Sequence, residues 1–96
     1  MSGPALAVAI YDVVSDARRT RLHNLLREYG SPVQRSAFEA RLTSDERRAL
    51  LGQVERLIDP KEDSFILYGV SKDQEERIAA LGIPRPPVDA PHFFIV

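Results

Sequence analysis

The chain has 96 residues, 44% of them apolar and 28% charged, with a formal net charge of -1. That is room for one small domain with the composition of an ordinary soluble protein. The lack of cysteine excludes a disulfide framework and any thiolate metal site. No apolar run approaches the roughly 20 residues of a membrane span. Met1–Val14 has neither the basic start nor the small-residue cleavage pattern of a secretory signal, so a cytoplasmic location is expected.

The near-zero total charge hides an asymmetry. From Ala17 to Arg48, eight Arg face four acidic residues, a balance of +4; from Ala49 to Val96, five basic residues face eight acidic ones, a balance of -3. Arg outnumbers Lys 11 to 2. The planar fork of Arg matches phosphate oxygens, where Lys offers only a point charge. A solvated, salt-bridged surface would account for the same composition.

Ala5–Val14 (ALAVAIYDVV) reads as a buried central strand interrupted by Asp12. Asp16 can cap a following helix to about Tyr29, in which Leu22, Leu25, Leu26 and Tyr29 fall on one face. Gly30 supplies a helix stop and Pro32 reinforces the break. Val33–Leu42 alternates as a strand does: Ser36, Phe38, Ala40 and Leu42 share one face, and Arg35, Glu39 and Arg41 the other. Periodicity leaves open whether this is one bent strand or two short ones. Thr43 and Glu46 form a capping box for a second helix with an apolar stripe of Leu50, Val54, Leu57 and Ile58, widened by Leu51. Asp63–Val70 is a further buried-strand run, and Lys72–Leu81 holds a short helix ending at Gly82. Ile83–Pro91 contains four prolines and is expected to be an extended arm, leading to an apolar strand, His92–Val96.

With two strands in the middle, the order is βαββαβ, the split βαβ of ferredoxin-like domains. The expected fold is α+β: an antiparallel sheet with both helices on one face, a domain over residues 1–82, and an arm and tail strand over 83–96. The other sheet face is left bare. A second copy would cover it, and the tail strand could extend that copy's sheet or fold back on its own chain.

Asp12 is the residue most suggestive of chemistry. An ionised carboxylate within an apolar strand is costly unless paired or bound to a cation; at the strand's end it would merely cap the next turn. One carboxylate is too few for a strong Mg²⁺ site. A two-fold axis near it would bring two Asp12 side chains to one hydrated ion, which could activate water toward a phosphodiester. Asp16 could add a ligand, though helix capping suits it better. Ser36 could bond to a phosphate or to Asp12, whereas Phe38 suits packing. Arg18, Arg19, Arg21 and Arg35 are candidate phosphate contacts. His23 and His92 show no metal-site spacing, and there is neither a nucleophile elbow nor a phosphate-binding glycine loop.

Three segments resemble the small CRISPR-associated adaptation protein family, the second and smaller subunit of the spacer-acquisition machinery. They are Ala9-Ile10-Tyr11-Asp12-Val13 with Arg18-Arg19; Tyr29-Gly30 with Val33-Gln34-Arg35-Ser36-Ala37-Phe38-Glu39; and Asp63-Ser64-Phe65-Ile66-Leu67-Tyr68. The likeness covers about Ala7 to Val70. It implies a ferredoxin-like homodimer with the tail packing across it, and a divalent cation, usually magnesium, on Asp12. It further implies metal-dependent endoribonuclease activity, in some members on double-stranded DNA, and a bridging role between dimers of the larger integrase subunit. Ala37 stands where the family usually has a larger β-branched residue. The near-zero net charge argues against strong backbone binding, which scales with the phosphates neutralised.

Two functions of different kinds follow: a nuclease working through Asp12, or a non-catalytic scaffold that binds DNA and bridges integrase. A related ferredoxin-like toxin ribonuclease would share the fold, which alone does not fix function.

Overall fold

The computed structural model describes residues 3–77. The end of the expected third helix, the proline-rich arm and the tail strand with His92 lie outside the described residues. Within them the order is β1 (Ala5–Asp12), α1 (Asp16–Arg27), β2 (Gly30–Gln34), β3 (Ala37–Leu42), α2 (Ser44–Leu57), β4 (Ser64–Val70) and α3 (Lys72–Glu75). The sheet order is β2-β3-β1-β4 with every pair antiparallel, which is the expected ferredoxin-like α+β arrangement.

Register assigns the faces. Ala7 lies opposite Ala40 and Gly69, Ala9 opposite Phe38 and Leu67, and Tyr11 opposite Phe65. These residues meet Leu22 and Leu26 of α1 and Leu50 and Val54 of α2 in one core. Both helical stripes read from the sequence therefore face the sheet, with Leu25, Tyr29, Leu57 and Ile58 packed at the edge of the core. The opposite face carries Val8, Ile10, Ile66 and Tyr68. Ile10, Ile66 and Tyr68 are each about half exposed (47%, 47% and 51%), because neither α1 nor α2 reaches that side.

Three local expectations need correction, and one alternative left open is decided. The N-cap of α1 is Ser15, whose side chain accepts from the Arg18 N–H; Asp16 is the first helical residue. Gly30 does not end a helix; it begins β2, and Pro32 lies in the same strand. A proline is tolerated there because β2 is an edge strand. Val33–Leu42 is two strands, broken at Arg35–Ser36, where Ser36 adopts a positive φ of 58°. β4 is not fully buried, since among the described residues it lies at the sheet edge and Ile66 and Tyr68 on one of its faces stay about half exposed. The Thr43–Glu46 capping box forms as read.

Gly30 is required by close approach. A Cβ there would lie 2.0 Å from the Glu39 carbonyl oxygen and 2.7 Å from Ala40 Cβ. Gly30→Ala is expected to lower stability by about 2 kcal/mol in urea unfolding, because backbone must shift to admit it. Gly52, in the middle of α2, meets nothing closer than 3.8 Å; Gly52→Ala is expected to stabilise by up to about 1 kcal/mol through helix propensity.

Candidate functional site

The sequence-derived site residues converge on the end of β1. Asp12 is the last residue of that strand, paired with Ser64 of β4, and its side chain is exposed on the face away from the helices. It has no hydrogen-bond or ion-pair partner among the described residues. Burial of an unpaired charge is therefore not an issue here, and the strand-end position explains why an aspartate is tolerated. The turn carrying Arg35 and Ser36 meets the same end of the sheet, where the Tyr11 N–H donates to the Ser36 carbonyl at 3.2 Å. Both side chains in that turn are exposed. Ser36 thus does not share a strand face with Phe38, which is buried in the core beside Tyr11 and His23, at ring-centroid distances of 6.3 and 5.2 Å.

Arg18 and Arg19 lie in the first turn of α1, shortly after β1, but their guanidinium groups are engaged. Arg18 donates through Nε to Asp63 Oδ2 at 2.7 Å and through Nη2 to Asp63 Oδ1 and Glu62 Oε1, at 3.2 and 3.1 Å. The Asp63 side chain is fully enclosed. It also accepts from the Val14 and Asp59 N–H groups, at 2.9 and 2.8 Å. Donation from Arg18, with further help from these backbone groups, holds the Asp63 carboxyl well below its ordinary pKa and raises that of Arg18. This clamp ties the segment after Asp12 to the one before β4. Arg19 donates to the Val13 and Val14 carbonyls and pairs with Asp16 at 2.6 Å, while remaining 45% exposed. Asp16 is therefore occupied by Arg19 on the protein surface. Arg35 has no ion-pair partner among the described residues.

The sequence reading missed two features. The Asp63–Arg18 clamp joins positions 45 apart in the chain, and no local pattern announces such a pair. Glu39 is the other. Alternation places it opposite Phe38, but not in isolation: it is 1% exposed, and neither carboxylate oxygen has a hydrogen-bond partner. Burial pushes its pKa up to about 7, opposed by Arg41 and reinforced by Glu75. A cleft of about 440 Å³ at the opposite end of β1, lined by Leu6, Leu42, Arg47, Arg48 and Gly69 among others, contains none of the expected site residues.

The residues fit a divalent cation only as one share of a site. Asp12 offers an exposed hard-oxygen ligand, but no cluster of three or more His, Cys, Asp or Glu capable of holding a metal occurs among the described residues. No helix there is long and apolar enough to cross a membrane.

Residues 5–78 match the family described as CRISPR associated protein Cas2. The chain is 36% identical over 88 residues to the CRISPR-associated endoribonuclease Cas2 3 of Chloroflexus aurantiacus, covering 92% of this chain and 95% of that protein. Its fold superposes on the crystal structure of a hypothetical protein, TT1823, from Thermus thermophilus with a TM-score of 0.80 at 34% identity, over 88% of this chain and 99% of that one. It superposes on Streptococcus pyogenes Cas2 at pH 6.5 with a TM-score of 0.68 at 32% identity, over 80% and 99% of the two chains. A ferredoxin-like sheet with Asp12 closing its first strand, matched over most of its length, places this chain in the Cas2 family of CRISPR-associated proteins, the adaptation family that its sequence resembles.

Proposed function

We propose that the chain serves CRISPR spacer acquisition as a homodimer that works with the larger integrase subunit, and that paired Asp12 residues give it metal-dependent endonuclease activity. The observation that carries this reading is the exposed Asp12 carboxylate, without a partner among the described residues, at the rim of the sheet face on which Ile10, Ile66 and Tyr68 remain about half exposed. A second copy on that face would bury Ile10, Ile66 and Tyr68, and a two-fold axis near the strand end would put two Asp12 carboxylates in reach of one ion. Mg²⁺ or another divalent cation held there would supply an activated water and charge stabilisation at the phosphate. In this reading Asp12 is the metal ligand. Arg35 and Ser36, in the exposed turn beside it, contact the nucleic acid backbone. Arg19 adds charge from its exposed side, and Arg18 acts chiefly by fixing the loop that follows Asp12. The family name of the Chloroflexus relative supports RNA as a substrate; double-stranded DNA is the alternative.

The test is cleavage of labelled single-stranded RNA and double-stranded DNA, with and without Mg²⁺, by the native protein and Asp12→Asn. Metal-dependent cleavage that falls by about two to three orders of magnitude in Asp12→Asn is expected, as for the loss of a group that stabilises developing charge. Equal cleavage by both proteins would refute the assignment to Asp12. The scaffold reading is favoured by the single available carboxylate per chain and by the occupied Arg18. Absence of cleavage by both proteins, with spacer insertion intact in Asp12→Asn, would establish it instead.

A further inference from the structure

Three residues, Val13 to Ser15, lie between the end of β1 and the start of α1. They set the course of the chain directly after Asp12. Val13 is buried in the core, and its carbonyl accepts from Arg19 Nε at 3.2 Å. The Val14 carbonyl accepts from Arg19 Nη2 at 3.3 Å, and Ser15 Oγ accepts from the Arg18 N–H at 3.2 Å. These bonds tie the loop to the helix it leads into. The Val14 N–H reaches further: it donates to Asp63 Oδ1 at 2.9 Å, 49 positions away. Asp63 precedes Ser64, the residue paired with Asp12 in the last rung of the β1–β4 ladder. The bond therefore closes the ladder just beyond Asp12, where a strand end would otherwise fray.

The Asp63 side chain is fully enclosed, and each of its oxygens accepts two bonds. Oδ1 accepts from the Val14 N–H and Arg18 Nη2, and Oδ2 from the Asp59 N–H and Arg18 Nε. Together they fill the roughly four acceptor sites of a carboxylate. An amide of the same shape has one oxygen, and its NH₂ would face two donors. A buried ion pair is a weak source of net stability, because desolvation offsets most of its attraction. What four directional, charge-assisted bonds do fix is geometry.

We propose that Asp63 is a positioning residue for Asp12, and that Arg18 serves the Asp12 site through Asp63 rather than by touching phosphate. This inference rests on the metal role proposed for Asp12. Mg²⁺ demands near-ideal octahedral geometry, and in a two-fold site any displacement of Asp12 in one chain is repeated in the other.

The test compares the native protein with Asp63→Asn, Arg18→Gln, Arg18→Lys and the double variant Asp63→Asn/Arg18→Gln. Cleavage of labelled RNA or DNA, whichever the native protein cuts, is followed against Mg²⁺ and against nucleic acid concentration, with urea midpoints measured in parallel. Asp63→Asn and Arg18→Gln are each expected to raise the half-saturating Mg²⁺ concentration about tenfold, as when a supporting partner of a metal site is lost, and to leave KM for the nucleic acid unchanged. The double variant is expected to show the same rise rather than the product of the two, because both changes break one linkage. Arg18→Lys keeps the charge but not the fork, and is expected to fall between the native protein and Arg18→Gln. Where Asp63→Asn does not fold, the two Arg18 variants, which leave Asp63 its backbone donors, carry the test. Half-saturating Mg²⁺ that is unchanged in folded Asp63→Asn or in Arg18→Gln would overturn the proposal, as would single effects that multiply in the double variant. So would a salt dependence of metal-free binding whose slope falls by about 0.7–0.9 in Arg18→Gln, the mark of a lost phosphate contact. A native protein without Mg²⁺-dependent cleavage would instead overturn the role of Asp12 on which the inference rests.

Discussion

Phe38→Ala should come close to unfolding the isolated domain, with a loss of about 4 kcal/mol in urea denaturation. The ring is 2% exposed and occupies the middle of the core face. Tyr11 lies beside it at 6.3 Å, and the His23 ring meets it edge-on at 5.2 Å. Tyr11 in turn stacks on Phe65 at 6.5 Å. Truncating a fully buried phenylalanine costs roughly 3–5 kcal/mol, part of it transfer free energy and part the cavity left behind. Small domains often have total stabilities of about 5–15 kcal/mol, so this loss is a large fraction. Phe38→Leu should cost considerably less, because most of the volume is kept. If Phe38 instead served a nucleic-acid surface, Phe38→Ala would leave the urea midpoint unchanged and weaken binding alone. Its burial makes the opposite outcome the expected one.

Glu39→Gln should flatten the pH dependence of stability between about 5 and 8 and leave the variant more stable than the native protein at pH 8. The folded-state pKa is raised from 4.5 to about 7. The folded state therefore holds the proton more tightly than the unfolded chain does. The stability contributed by neutral Glu39 is fully present below 4.5 and is lost as the pH rises through 7. Converted directly, that shift corresponds to at most about 3 kcal/mol. Asp63 acts in the opposite sense. Its pKa is lowered, so its contribution is present above its ordinary value of 3.8 and disappears in acid. The native protein should accordingly be most stable in mildly acidic solution. Thermal midpoints measured from pH 4 to 9 check this: native stability falls above pH 5, while that of Glu39→Gln stays level. A Gln variant that declines in parallel with the native protein would assign the loss to another group.

The helices and the core strands were legible from residue pattern because each buries one periodic face. Leu22 and Leu26, and Leu50 and Val54, recur at helical spacing, and Phe38, Ala40 and Leu42 recur at strand spacing. The capping box at Thr43–Glu46 needs only two side chains and local backbone, so it too could be read directly. Gly30 was misread because its reason is not local: it is a glycine to make room for the Glu39 carbonyl of β3. The edge position of β4 was hidden for a related reason. SFILYGV is as apolar as a central strand, and only sheet order shows that one of its faces and one of its edges lack a described neighbour.

For the site, the sequence determined which residue types were available, and Asp12 with the Arg35–Ser36 turn does lie at one end of the sheet. It also determined the family resemblance, because those residues are contiguous segments at defined spacing. Only the tertiary structure decided how each was used. It engaged Arg18 with Asp63 across 45 positions, left Asp12 exposed and without a described partner, and enclosed Glu39 without a donor. These outcomes depend on which strands become neighbours and which face the helices cover. Neither is encoded within a single element: both follow from the closure of β1 between β3 and β4, which sets the solvation and the partners of every charge on the sheet.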